Sequence, residues 1–133
     1  MNTRTRKSGR LSRDPATVRV LHNNTYDALF FGYTLRDTLT CVYTYTDPDV
    51  QPATTGVEVA ERAFELFTVG RYPAHASPDP RAVAYRELGH RSLSVGDVVC
   101  VDGHFFACEP FGWNEIDPPS ETSLEHPDTT RAP

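Results

Sequence analysis

The chain has 133 residues, 38% of them hydrophobic, and a net charge of −5. That length fits one small domain with flexible ends, and no apolar run approaches the roughly 18 to 20 residues needed to span a bilayer. Three cysteines, an odd number with no CxxC pair, exclude a secreted disulfide framework.

Charge is spread unevenly. Residues 1–13 carry five positive charges (Arg4, Arg6, Lys7, Arg10, Arg13) and no acid, whereas residues 117–133 carry four acids against Arg131. Taking the arm's +5 and the tail's −3 from the total of −5 leaves −7 on residues 14–116. An acidic body argues against a nucleic-acid-binding domain, which carries its positive charge on the fold. The basic arm, residues 1–14, is expected to be disordered, with a weak and salt-sensitive attraction to phosphates. No apolar segment follows Arg10, so no secretory signal is expected and the expected location is cytoplasmic. One lysine against twelve arginines points to a GC-rich source.

The ordered domain is expected over 15–116. Residues 17–23 (TVRVLHN) place Val18, Val20 and His22 on one face and Arg19 and Leu21 on the other, the period of a strand. The aromatic-rich stretch that follows reads as a loop with a helical turn around Tyr26 to Phe30. Residues 39–46 (LTCVYTYT) are the clearest strand, with Leu39, Cys41, Tyr43 and Tyr45 alternating with Thr40, Val42, Thr44 and Thr46.

The period then changes. Thr55 with Glu58 three residues on is a capping box, in which hydroxyl and carboxylate satisfy free amides of the first turn. Val59, Ala63 and Phe67, with Ala60, Phe64 and Leu66, form an apolar stripe at helical spacing, while Glu58, Glu61, Arg62 and Glu65 face solvent and Gly70 ends the helix. After a proline-rich loop, residues 82–88 (AVAYREL) fit either a strand or a short helix, and the strand is the preferred reading.

Asp102-Gly103 between VVCV and HFFAC is a two-residue hairpin turn, because both positions need positive φ. It pairs Val101 with His104, Cys100 with Phe105, Val99 with Phe106 and Val98 with Ala107. Val98, Cys100, Phe105 and Ala107 then share one face, and Val99, Val101, His104, Phe106 and Cys108 the other. Cys100 and Cys108 point to opposite sides and cannot bridge. His104 and Cys108 lie about 13 Å apart along the strand, too far to share a zinc ion. Both faces of the hairpin are apolar, so both are expected to be covered.

Other chemistry is weakly encoded. Ser92 and Ser94 near His90 lack a nucleophile elbow. Asp97 and Asp102 read as turn residues capping local amides, and no phosphate loop is present. Cys41 reads as a small core residue, and His22, His75 and His126 are scattered. The aromatic residues Tyr26, Phe30, Phe31, Tyr33, Tyr43, Tyr45, Phe111 and Trp113 exceed what one helix and a small sheet can hide. The partner surface is expected at the 104–113 rim, with Phe111 and Trp113 around Gly112 and with His104 and Phe106 on the adjoining strand.

The run Ser92-Leu93-Ser94-Val95-Gly96-Asp97-Val98-Val99, the glycine turn, the paired Phe105 and Phe106, and Phe111-Gly112-Trp113 ending in Ile116 together resemble the YodL-like domain. The resemblance covers residues 91–116. It implies an α+β domain found in small proteins of phages and mobile elements and in large polyvalent phage proteins, with accessory or host-interaction roles and no catalytic residue.

These readings combine into an α+β domain: a small antiparallel sheet with a C-terminal Asp-Gly hairpin packed on one main helix, and a disordered acidic, proline-rich tail over 117–133. The expected function is a non-enzymatic accessory protein-interaction module of a phage, plasmid or other mobile element, binding a protein partner and needing no metal, cofactor or membrane. The alternative is a nucleic-acid-associated accessory protein in which the arm grips phosphates and aromatics stack on bases.

Overall fold

A computed structural model describes residues 15–48, 50–51, 53–68, 77–120 and 124–125. Along the chain these form β1 (Ala16–Asn23), α1 (Ala28–Phe31), β2 (Leu39–Asp47), α2 (Gly56–Thr68), α3 (Pro80–Glu87), β3 (Val98–Val101), β4 (His104–Cys108), β5 (Trp113–Ile116) and β6 (Leu124–Glu125). The strands make one sheet in the order β5-β4-β3-β1-β2-β6. Every pairing is antiparallel except that of β2 with β6. The α+β architecture with a C-terminal hairpin is therefore present, and α2 is its main helix. The expected arm, the loop residues 71–76 and Gly70 lie outside the described residues.

The hairpin register is the one that the Asp-Gly turn dictates, from Val98↔Ala107 to Val101↔His104. Asp102 and Gly103 take φ of 49° and 89°, the left-handed pair that a type I′ turn needs. The Asp102 carboxylate also accepts the Thr17 amide at 2.9 Å, tying the turn to the start of β1. At α2 the capping box closes in both directions: Thr55 N–H donates to Glu58 Oε1 at 3.0 Å and Glu58 N–H to Thr55 Oγ1 at 3.2 Å.

Several elements differ from their sequence reading. Residues 82–87 are not a strand but belong to α3, with Leu88 as its C-cap, because Asp79-Pro80 builds a helix start immediately before them. Asp79 Oδ1 accepts the Arg81 amide at 2.8 Å and Pro80 occupies the first turn, where its missing N–H has no cost. In β2 the strict alternation breaks. Val20 pairs with Tyr43 but Leu21 with Cys41, leaving Val42 as an extra residue, a bulge that keeps Val42 and Tyr43 on one side. Tyr43 and Tyr45 thus join the core under α2, while Leu39 and Cys41 belong to the opposite face. Arg62, read as a solvent residue of α2, instead donates to the buried Asp47 at the end of β2 with a 2.7 Å contact.

The sheet is apolar on both sides. On one, Val18, Val20, Tyr45, Val99 and Phe106 pack under Val59, Ala63 and Phe67 of α2 and Tyr85 of α3. On the other, Leu21, Leu39, Val98, Cys100, Phe105 and Ala107 form a second buried cluster, bordered by Tyr33, Cys41 and Ile116. Removing one such Leu or Phe side chain from water contributes about 1.5–3 kcal/mol. Among the described residues no helix is long and apolar enough to cross a membrane.

The stretch expected as a disordered tail contributes a strand. Leu124 pairs with Leu39 and Glu125 with Thr40, so the sheet extends beyond the expected boundary at Ile116. Composition missed this because two residues of pairing need almost no hydrophobic signal. β5 and β6 sit at opposite edges, separated by five inter-strand gaps, or about 24 Å. Eight Cα steps from Ile116 to Leu124 reach at most about 29 Å.

Candidate interaction surface

β1 and β2 are antiparallel neighbours whose pairing ends at Asn23↔Leu39. A two-residue turn is enough for such a connection, yet residues 24–38 intervene, and connections of this length are commonly functional. The loop is closed by hydrogen bonds at its base. Asn24 N–H donates to the Thr38 carbonyl at 2.8 Å. The Asn23 side chain donates to Asp37 Oδ2 at 2.9 Å and to the Gly96 carbonyl at 2.8 Å, and its oxygen accepts the Thr25 amide at 2.8 Å. Asp37 also accepts the Thr34 amide and hydroxyl at 2.9 and 3.0 Å. Burial pushes the Asp37 carboxyl upward, but these hydrogen bonds outweigh it and hold the group below the ordinary carboxylate range.

This scaffold directs apolar side chains outward. Ala28 faces inward against Gly96. Tyr26 is 96% exposed, Leu29 56%, Phe30 75%, Phe31 74% and Leu35 78%. A loop anchored at both ends by hydrogen bonds that still leaves five large apolar groups in water makes a candidate contact surface. Beneath Tyr26 and Leu29 lies a pocket of about 250 Å³, floored by Asn23, Asp97 and Ser94 and bordered by Arg91. Its polar floor is already paired. Asp97 accepts the Asn23 amide at 2.9 Å, the Ser94 amide at 2.8 Å and Arg91 Nη1 and Nη2 at 2.7 and 2.9 Å.

The four residues expected at the 104–113 rim do not make one surface. Phe106 is a correction: it is buried, with its ring so close to Gly56 that a Cβ there would fall 2.6 Å away. Strand alternation sends it under α2, where the apolar stripe of that helix needs it. Trp113 is half-buried and meets Phe64 of α2 edge-on at 6.2 Å. The half-buried His104 contacts Glu115 Oε2 through Nδ1 at 3.1 Å. Phe111 alone is fully presented, at 96% exposure.

Comparison with protein-family models, with curated proteins and with solved structures returns no match.

A second grouping was invisible in the sequence. His22 of β1, Tyr85 of α3 and His90 come together, with ring centroids 5.1 Å apart for Tyr85–His90 and 5.9 Å for His22–His90. Tyr85 Oη donates to the Arg91 carbonyl at 2.6 Å, so its oxygen is left to accept from His22 Nε2–H at 2.6 Å. Burial is the main influence on His22, and lowers its pKa to about 4 against the opposing Asp97 charge. Burial likewise pushes the Tyr85 phenol well up. A neutral histidine bonded to a fully buried tyrosine joins β1 to α3 and offers no reactive atom to solvent. Ser92 Oγ accepts from Arg86 at 2.7 Å rather than from a histidine. The Cys108 thiol is raised to about 11 by burial, then by Asp97, Glu61 and Glu109, which makes it a poor nucleophile. All three cysteines are free. Among the described residues no three His, Cys, Asp or Glu side chains converge as a metal site.

Proposed function

We propose that the chain is a non-enzymatic protein-interaction module whose docking surface is the β1–β2 loop. The exposed Tyr26, Leu29, Phe30, Phe31 and Leu35, on a loop anchored by the hydrogen bonds of Asn23 and Asp37, carry this reading. Clustered aromatic residues next to a pocket are the anchors by which interfaces gain most of their affinity. The −7 carried by residues 14–116 favours a protein partner at the loop over a nucleic acid. The resemblance of residues 91–116 to YodL-like domains supports an accessory role in a mobile element. Phage or conjugation genes beside this one would agree with that origin.

The test is quantitative pull-down with the full chain, comparing wild type, Phe30→Ser/Phe31→Ser and Phe111→Ser, each checked for folding by circular dichroism. Loss of the partner only in the loop variant is the expected result. Loss only in Phe111→Ser would return the surface to the 104–113 rim. Retention in both would defeat the proposal.

A further inference from the structure

We infer that the occupant of the loop surface is a second copy of this chain, docked about a two-fold axis; the inference rests on the loop being a docking surface. The first support is area. An aromatic side chain offers roughly 150–250 Å², and Tyr26, Phe30 and Phe31 show between 74% and 96% of theirs. With Leu29 and Leu35 added, the exposed apolar side chains of the loop reach the size of the largest apolar patch on a typical monomer, roughly 300–600 Å², a large share of the roughly 800 Å² per partner of a standard interface.

The second support is charge. Asp27 stands just before the Leu29–Phe31 centre of the patch and Arg36 just after Leu35, both exposed, and among the described residues neither forms an ion pair. A two-fold contact places residue i against j and j against i. Two antiparallel loops therefore set Asp27 of each copy against Arg36 of the other, one opposite-charge pair at each end of an apolar centre. The remaining charge of the loop, Asp37, is buried and hydrogen-bonded. Residues 14–116 carry −7 by sequence, but the exposed charges of the loop cancel. Two acidic bodies can meet here without the repulsion that other approaches would impose. The third support is shape. The surface holds both knobs, Phe30 and Phe31, and a hole of about 250 Å³ beneath Tyr26 and Leu29, as a self-complementary contact requires.

Sedimentation equilibrium of the full 133-residue chain decides it. Wild type is expected to dimerise with rising concentration, up to about 200 µM. Asp27→Arg and Arg36→Asp each place two like-charge pairs in the interface and should weaken association about tenfold or more. An equimolar mixture of the two variants restores both attractive pairs and should form a heterodimer tighter than either variant alone. Both positions are exposed, so folding is not at stake. A wild-type chain that stays monomeric overturns self-docking, as does a dimer that neither charge variant weakens. Failure of the mixture to recover overturns the two-fold register. None of these results touches the broader interaction reading, which the pull-down with Phe30→Ser/Phe31→Ser decides separately.

Discussion

Asp97 is 1% exposed and accepts four hydrogen bonds, two from the forked guanidinium of Arg91 and two from backbone amides of Asn23 and Ser94. Read as a turn residue, it was expected to cap local amides, and the Ser94 bond does that. Its bond to β1 was not legible, because a contact across 74 positions leaves no mark in local spacing. Asp97→Asn replaces an acceptor oxygen by a donor facing other donors, and is expected to cost about 2–4 kcal/mol in urea denaturation. His22 supplies a pH signature. Its folded pKa of about 4 lies below the ordinary 6.5, so the unfolded chain takes up the proton first as pH falls. The contribution is complete above about pH 6.5 and is lost progressively towards pH 4, reaching on the order of 2–3 kcal/mol. Asp37 and Asp79, with pKa values lowered from 3.8, withdraw their stabilisation only below that pH. Melts at pH 7.5 and 4.5 are expected to differ strongly for wild type and less for His22→Gln.

At the scale of elements, legibility followed the range of the forces. The hairpin turn and the α2 capping box are set by neighbours within four positions, and both formed as read. For α3 the strand is the preferred sequence reading because Val83 and Tyr85 favour strands at a two-residue spacing, while the deciding groups, Asp79 and Pro80, stand just before them. The bulge at Val42 could not be read because β2 has apolar residues facing both sides, so a one-residue slip changes no visible pattern. The candidate surface was half legible. Its aromatic residues were counted, but their exposure depends on how Ala28 seats on Gly96. There φ is 96°, and an added Cβ would sit 2.8 Å from Ala28 Cβ and 3.0 Å from its carbonyl oxygen. Gly96→Ala is therefore expected to destabilise the fold by about 2–3 kcal/mol and to loosen α1 first. Hydrogen exchange should show the loss of protection at Gly32, whose amide donates to the Ala28 carbonyl at 2.7 Å.

For the whole molecule, the sheet closes on a strand that composition assigns to a tail. If residues 117–133 only trailed in solvent, ending the chain at Ile116 would change stability by less than about 0.5 kcal/mol. The pairing of Leu124–Glu125 with Leu39–Thr40 predicts instead a loss of about 1–2 kcal/mol in the truncated chain, measurable by its denaturation midpoint. The sequence by itself determined the class of fold, the hairpin and its register, the start of α2, and the separation of Cys100 from Cys108. Each follows from turn chemistry or from the two-residue and 3.6-residue periods, which neighbours along the chain enforce. Only the tertiary structure decided that Phe106 is core, that His22 meets Tyr85, that β6 edges the sheet, and that the apolar surface lies on the β1–β2 loop. Those outcomes depend on which face a second element covers, and coverage is a property of packing between segments distant in the chain.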